Sequence, residues 1–381
     1  MSSLTEWLVS VDEDRRRAGL VRRTDARRGT GSRRGLLDLA SNDYLGLGDD
    51  PRVRAAAATA IETYGAGAGA SRVVTGTTAG HEELERELAV LTGQPSCLAF
   101  SSGYAANIGL LTALGSPDTL IVSDEHVHAS LIDGARLSRS PVRICPHNDL
   151  AVLEELLRDR EQTRAVVVVE SIYSVLGDAT DLARVAALCV TYDALLVVDE
   201  AHGIGVAGRG RGAVHAAGLS GAPHVVVTAT LSKALGTQGG AVLGTPLVRE
   251  HLVNTARTFI FDTGLAPAAA VGAAEACRII AAEPGLADEL HRIAAVIAVA
   301  AGVPHAPGAV QSIPADSAEH AVTAADRLFD DGVVVGCFRP PSVPDGVSRL
   351  RLVARAGVDP ERAARAARLA ARLSRAEARL G

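Results

Sequence analysis

Between about residues 50 and 245, short β-branched runs at 120–123, 165–170, 195–199 and 224–229 alternate with amphipathic, alanine-rich stretches of helical period. That alternation predicts a mostly parallel sheet covered by helices on both faces, an α/β fold. After Pro267 the pattern changes. Long helical segments over 268–301 are followed by strand candidates at 333–335 and Arg349–Val353, then by an alanine- and arginine-rich helix over 360–380. This reads as a smaller α+β domain. Before residue 40 the chain reads as an arm, a helix with Trp7 and Leu8 on one side and then a basic segment. The expected division is therefore an arm at 1–47, a large domain at 48–265 and a small carboxyl-terminal domain at 266–381. No internal repeat or low-complexity linker interrupts it.

Length supports two domains, since 381 residues exceed one compact core and fall short of three. Charge narrows the partners. A net charge of −6 and an aromatic content of 3% give neither a basic surplus nor stacking platforms, which argues against nucleic acid. The longest near-apolar stretch, 293–303, is too short to span a membrane and predicts a core helix. Acidic residues Glu6, Asp12, Glu13 and Asp14 near the start, without an apolar run and cleavage site, argue against a secretory leader. The five cysteines are scattered and form no C-x-x-C pair, which fits a reducing cytoplasm and no metal site. The arm's arginines, Arg22 among them, admit two readings: a solvated helix face, or an electrostatic funnel for a phosphate-rich acyl carrier.

The chemistry is carried by two segments. In Thr230-Leu231-Ser232-Lys233-Ala234-Leu235-Gly236 a lysine follows an apolar run and enters a small, glycine-containing turn. In the run from Ala194 to Gly203, Asp199 stands at the carboxyl end of a buried strand candidate and His202 three residues on. Pyridoxal phosphate (PLP) calls for that combination: an amine to bind its aldehyde, and an acid to keep its ring nitrogen protonated. Ser102-Gly103-Tyr104, where an apolar run gives way to a helical pattern, adds free amides and a helix dipole suited to a dianion. Alone, it is also an ordinary strand-to-helix turn.

Together these segments resemble the fold-type I PLP-dependent enzymes, whose fold is that of aspartate aminotransferase, and within them the α-oxoamine synthases. The resemblance runs nearly end to end. It rests on Ser41-Asn42-Asp43-Tyr44-Leu45-Gly46-Leu47, Gly67-Ala68-Gly69-Ala70-Ser71-Arg72, Ser102-Gly103-Tyr104-Ala105-Ala106-Asn107, His128-Ala129-Ser130, Asp199-Glu200-Ala201-His202-Gly203, the lysine segment, and Arg349-Leu350-Arg351-Leu352.

That resemblance implies an acyltransferase that condenses an amino acid with an acyl thioester and releases carbon dioxide. It implies Lys233 as the covalent anchor and base, Asp199 on the ring nitrogen, His128 stacked on the ring, and His202 with Ser174 near the ring's phenolic oxygen. Gly103 and Tyr104 would hold the phosphate by their amides, Thr230 by its hydroxyl, and Thr263 from the second subunit of a homodimer. Arg351, helped by Asn42, would hold the amino-acid carboxylate, with Arg349 open to a plain surface role. His126 is given no role, and no ligand cluster near it supports a metal.

The segment Cys337-Phe338-Arg339-Pro340-Pro341-Ser342-Val343-Pro344 resembles the I-R-P-P-T-V-P of members acting in biotin biosynthesis, which implies L-alanine and a pimeloyl thioester, on CoA or a carrier protein, as substrates. Arg22 lies closest to where such members place a basic residue for the acyl partner. The alternatives are glycine C-acetyltransferase or another member of the subgroup, and a noncatalytic PLP-binding homologue. Two departures stand out. Leu176 in Ser174-Val175-Leu176-Gly177-Asp178 replaces an acidic residue, and Asp262 takes the place of a serine before Thr263, near the expected phosphate.

Overall fold

The structure, a computed structural model, describes residues 2–21, 24 and 35–375. Arg22 and most of the basic segment lie outside the described residues.

Among the described residues, eleven strands form two sheets. They are β1 (Leu37–Leu39), β2 (Ser96–Phe100), β3 (Thr119–Asp124), β4 (Val142–Cys145), β5 (Arg164–Glu170), β6 (Ala194–Asp199), β7 (Val225–Thr230), β8 (Gly240–Gly244), β9 (Val310–Pro314), β10 (Val333–Phe338) and β11 (Arg349–Val353). The large sheet has the order β2-β8-β7-β6-β5-β3-β4, in which β8 alone runs against its neighbours. Its central strands are buried on both faces, as their unbroken valine runs require. On β5, Val166 and Val168 join one core while Val167 and Val169 join the other; β6 splits Val197 from Leu196 and Val198 in the same way. Helices Gly103–Leu114 and Ala129–Leu137 cover the first face, and Ala79–Thr92 and Leu182–Thr191 the second.

The order of strands reverses about β3, which lies between β4 and β5 although it precedes both in the chain. Such a reversal splays the following loops apart and leaves a crevice beyond the carboxyl ends of the strands. The Ser102, His128, Asp199 and Lys233 motifs sit at that edge.

The pattern-based reading missed β8, because Gly240-Ala241-Val242-Leu243-Gly244 is short and bounded by glycines. Its glycine is required by contact. A Cβ on Gly240 would come within 2.4 Å of the Gly103 amide nitrogen and of the Ser102 carbonyl carbon. β4, with three of four residues exposed, and the short β1 and β9 were missed as well. The helical stretch expected over 268–301 is two helices, Pro267–Ala282 and Gly285–Ala301, separated at Glu283 and Pro284, and the second contains most of the expected core stretch before stopping at Gly302 (φ 66°).

The second sheet has the order β1-β10-β11-β9. β1, from the far end of the stretch read as an arm, pairs in parallel with β10. Beyond it Asp38 accepts hydrogen bonds from the amides of Ala40 and Ser41, both 2.9 Å, and turns the chain towards Asn42 and Tyr44. Tyr44 is fully buried, and its carbonyl accepts the Ala356 amide at 2.9 Å, so this segment is threaded against the strand end that carries Arg351. Helix Pro267–Ala282 packs against Pro51–Tyr64 and Ala79–Thr92, and Gly285–Ala301 against the terminal helix Pro360–Leu373.

The Gly240 contact makes a stability test. Gly240→Ala is expected to cost about 1–3 kcal/mol, the usual penalty of overpacking, read as a lower urea midpoint at unchanged slope. Gly285→Ala, where a Cβ meets nothing within 4 Å, is the control and is expected to leave the midpoint in place or raise it.

Candidate active site

Loops leaving β2, β3, β5, β6 and β7 enclose a cavity of about 260 Å³. Seven of the residues named from the sequence line it: Gly103, Tyr104, His128, Asp199, His202, Thr230 and Lys233. Their positions follow from strand geometry. Asp199 ends β6 and Thr230 ends β7, so both reach the crevice with little intervening loop. Ser102 caps the helix Gly103–Leu114 by accepting the Ala105 amide at 3.0 Å, and this leaves the amides of Gly103 and Tyr104 free at the helix start. Gly103 has no room for a side chain, since its Cβ would lie 3.1 Å from that of Thr230.

Asp199 is held at both oxygens. Asn107 Nδ2 donates to Oδ2 at 2.8 Å and the Ala201 amide to Oδ1 at 2.8 Å. The same Asn107 amide donates to Ser130 Oγ at 2.8 Å, and that hydroxyl lies 2.8 Å from His128 Nδ1. A hydrogen-bonded chain thus links the acid to the imidazole. On the other side His202 Nδ1 is 2.6 Å from the Tyr44 hydroxyl, which joins the site to the second unit.

Burial sets most of the charge states. It lowers the pKa of Lys233, helped by the Arg351 charge and opposed by Asp199 and Glu170, so the amine is drawn towards its neutral form. It also lowers His128, and it pushes His202 well down, reinforced by Lys233 and Arg351. Both imidazoles are therefore driven towards neutrality.

Glu170 was not anticipated, though the signal was available: like Asp199, it is a carboxyl ending a valine-rich buried run. It pairs in register with Asp199 across β5 and β6 and lines the cavity, 2% exposed, with Oε1 unpartnered. Burial and then the neighbouring Asp199 charge raise its pKa well above 4.5. Both favour its protonated form in the folded chain. Asn107 and Ser130 were read only as letters of their motifs, because their partners lie on other loops.

Arg351, Asn42 and Ser174 meet beside the cavity. Arg351, 5% exposed on β11, donates through Nη1 to the Ser174 carbonyl at 3.1 Å and through Nη2 to Asn42 Oδ1, and its guanidinium lies 5.0 Å from the Phe338 ring. Its buried Nε has no partner. Arg349 turns away, bonded at both Nη1 and Nη2 to Asp345. Thr263 lies on an exposed stretch of its own chain, outside the cavity lining. The neighbouring Asp262 accepts a hydrogen bond from Ser101 Oγ, just ahead of the Ser102 turn. Leu176 is half-buried, and the Gly177 turn survives, closed by its amide to the Tyr173 carbonyl at 3.0 Å. Among the described residues no group of three or more His, Cys, Asp or Glu could hold a metal ion, and no helix is long and apolar enough to cross a membrane.

A lysine, a held carboxylate and two imidazoles driven to neutrality at the crevice of this doubly covered sheet define a class, and the comparisons agree: the model of the aminotransferase class I and II family matches residues 34–369, and the chain belongs to that family. Within it, the chain is 52% identical over 354 residues to 8-amino-7-oxononanoate synthase of Mycolicibacterium smegmatis, covering 92% of each. It is similar in structure to serine palmitoyltransferase from S. paucimobilis with bound PLP (27% identity, TM-score 0.89, 98% of each chain). It is also similar to 8-amino-7-oxononanoate synthase from Francisella tularensis (26% identity, TM-score 0.76, 89% of this chain and 98% of that one).

The upward shift of Glu170 has a measurable sign. A carboxyl whose pKa is raised by folding contributes fully below its unfolded value and loses that contribution as pH rises through the folded value. Glu170→Gln, which does not titrate, is therefore expected to gain in melting temperature relative to the parent protein as pH goes from about 4.5 to 8. A difference that is constant across that range would show an ionised Glu170.

Proposed function

We propose that the chain is a PLP-dependent acyltransferase of biotin biosynthesis that joins L-alanine to a pimeloyl thioester, giving 8-amino-7-oxononanoate, carbon dioxide and the free thiol. The observation that carries this reading is the meeting of Lys233 and Asp199 in one cavity, in a chain half identical to a synthase of that name over nearly its whole length.

The residues fit the cofactor. The Gly103 turn leaves space and free amides where a phosphate would sit, with the Thr230 hydroxyl 3.4 Å from where a Gly103 Cβ would be. Unpartnered buried atoms at Asn107 Oδ1, Glu170 Oε1 and Arg351 Nε offer hydrogen bonds to an occupant. When bound, PLP supplies a covalent handle for an amino group and a sink for the electrons of a broken bond at the α-carbon.

The chain does the rest. Asp199, fixed by Asn107 and Ala201, presents a carboxylate to the ring nitrogen. His128 would pack against the bound ring, and His202 and Ser174 would face its phenolic oxygen. Gly103, Tyr104 and Thr230 hold the phosphate, with Thr263 contributed across a homodimer interface. Arg351 and Asn42 hold the alanine carboxylate, which sets the Cα–H bond upright so that Lys233, drawn towards neutrality by burial, takes the proton. The α-carbon then forms its bond to the acyl carbonyl carbon while the thiol leaves with the bond's electrons. The original carboxyl departs as carbon dioxide, and the α-carbon regains a proton. The five cysteines, all free, fit a cytoplasmic setting.

The test is to load the protein with PLP and measure thiol release with L-alanine, glycine and L-serine, each against pimeloyl-CoA and acetyl-CoA. Alanine with pimeloyl-CoA is expected to be the productive pair. Turnover confined to glycine and acetyl-CoA would move the assignment to glycine C-acetyltransferase, and no turnover with any pair would favour a noncatalytic homologue. Lys233→Ala is expected to lower kcat at least about a thousandfold, as loss of a nucleophile and base does.

A further inference from the structure

We infer that His147, held as an imidazolium between Asp124 and Asp178, is a positioning residue that ties together the loops carrying His128 and Ser174, and so sets the affinity for the amino-acid substrate. The inference rests on the functional reading above. His147 lies on the loop after β4, away from the cavity lining. Its Nδ1 is 2.9 Å from Asp124 Oδ1 and its Nε2 2.6 Å from Asp178 Oδ2. A carboxylate oxygen can only accept, so each contact needs a hydrogen on the ring nitrogen, and a neutral imidazole has one. The geometry thus demands the cation. Burial opposes it, but hydrogen bonds to Asp124 and Asp178 outweigh burial and hold the pKa at about 9.

The two carboxylates belong to different loops of the site. Asp124 ends β3, four residues before His128, and also accepts the His126 amide at 2.8 Å and the Asn148 amide at 2.9 Å. Asp178 closes the turn after β5: its carbonyl accepts the Tyr173 amide at 2.8 Å, and its Oδ2 also accepts from Asn148 Nδ2 at 3.2 Å. Within that turn the Ser174 carbonyl takes the hydrogen bond from Arg351. β4, β3 and β5 are adjacent in the sheet, so one side chain from the edge loop reaches both neighbours.

The ring itself is held. His126 stacks on it at 3.8 Å and 16°, and Tyr173 meets it edge-on at 4.5 Å and 87°. Other titratable groups facing the pair do not compete for the charge. His126 is kept towards neutrality by burial and by the His147 cation, Tyr173 is kept protonated by burial, and Glu125 acts on His126 from the same loop. Removing the cation would leave Asp124 buried against Asp178 with its strongest donor gone, and would free the Ser174 turn from the His128 loop.

The test uses PLP-loaded protein with L-alanine, glycine and L-serine titrated separately and followed by the cofactor's absorbance, alongside melting temperatures. Both His147→Phe and Asp178→Ala are expected to weaken amino-acid binding about tenfold or more, as sub-ångström misplacement of site groups does, while PLP stays bound. Asp178 is the safer variant to fold, its side chain being 38% exposed. The double variant is expected to bind no more weakly than the worse single one, because the two act as a unit. Parent-like affinity in Asp178→Ala, with or without a lower melting temperature, would overturn the inference. If the parent protein binds none of the three amino acids, the functional reading fails instead. The nitrogen-15 histidine spectrum then decides the clamp: two protonated ring nitrogens on His147 at pH 7.5 support it, and one overturns it.

Discussion

Dehydration of charge governs this site. A lysine, two carboxyls and two imidazoles share a small space at the end of a sheet whose strands are buried on both faces, and not all of them can be ionised there. The structure resolves the conflict by neutralising most of them. Lys233, His128 and His202 are shifted down and Glu170 up, all towards the uncharged form. Asp199 is held at both oxygens by donors, from Asn107 and Ala201. The result is a cavity in which an amine drawn towards neutrality faces a carboxyl fixed by two donors.

The same constraint explains the supporting shell. Buried polar groups need partners, and here the partners come from loops that would otherwise move independently. Asn107 and Ser130 connect Asp199 to His128, Tyr44 connects His202 to the second unit, and Arg351 connects Asn42 to the Ser174 turn. His147 does for the outer loops what these do for the inner ones. Glycine serves the opposite need, close approach without a side chain, at Gly240 against Ser102 and Gly103.

Much of the site is legible in the residues alone. Lys233 and Asp199 announce themselves because a charged residue ending or following a buried run has few other uses, and the motifs around them occur in a recognisable order. The parallel strands are legible for the same reason, since continuous valine runs suit a strand covered on both faces. Glu170 carries the same signal as Asp199 and was missed. The strands that escaped, β1, β4, β8 and β9, are short, glycine-bounded or exposed, and owe their form to the neighbours they pair with.

The sequence by itself determined the alternating αβ order and the candidate lysine and acid, because each is a local matter of residue type and hydrophobic period; the arginine proposed for a carboxylate followed from the resemblance of its motif. Only the tertiary structure decided which groups share a hydrogen bond, which of two buried arginines two residues apart meets Asn42 and Ser174, and which carboxyl is driven towards its protonated form. Those outcomes depend on distance, burial and charge between residues as far apart in the chain as Asn42 and Arg351, and no local pattern encodes them.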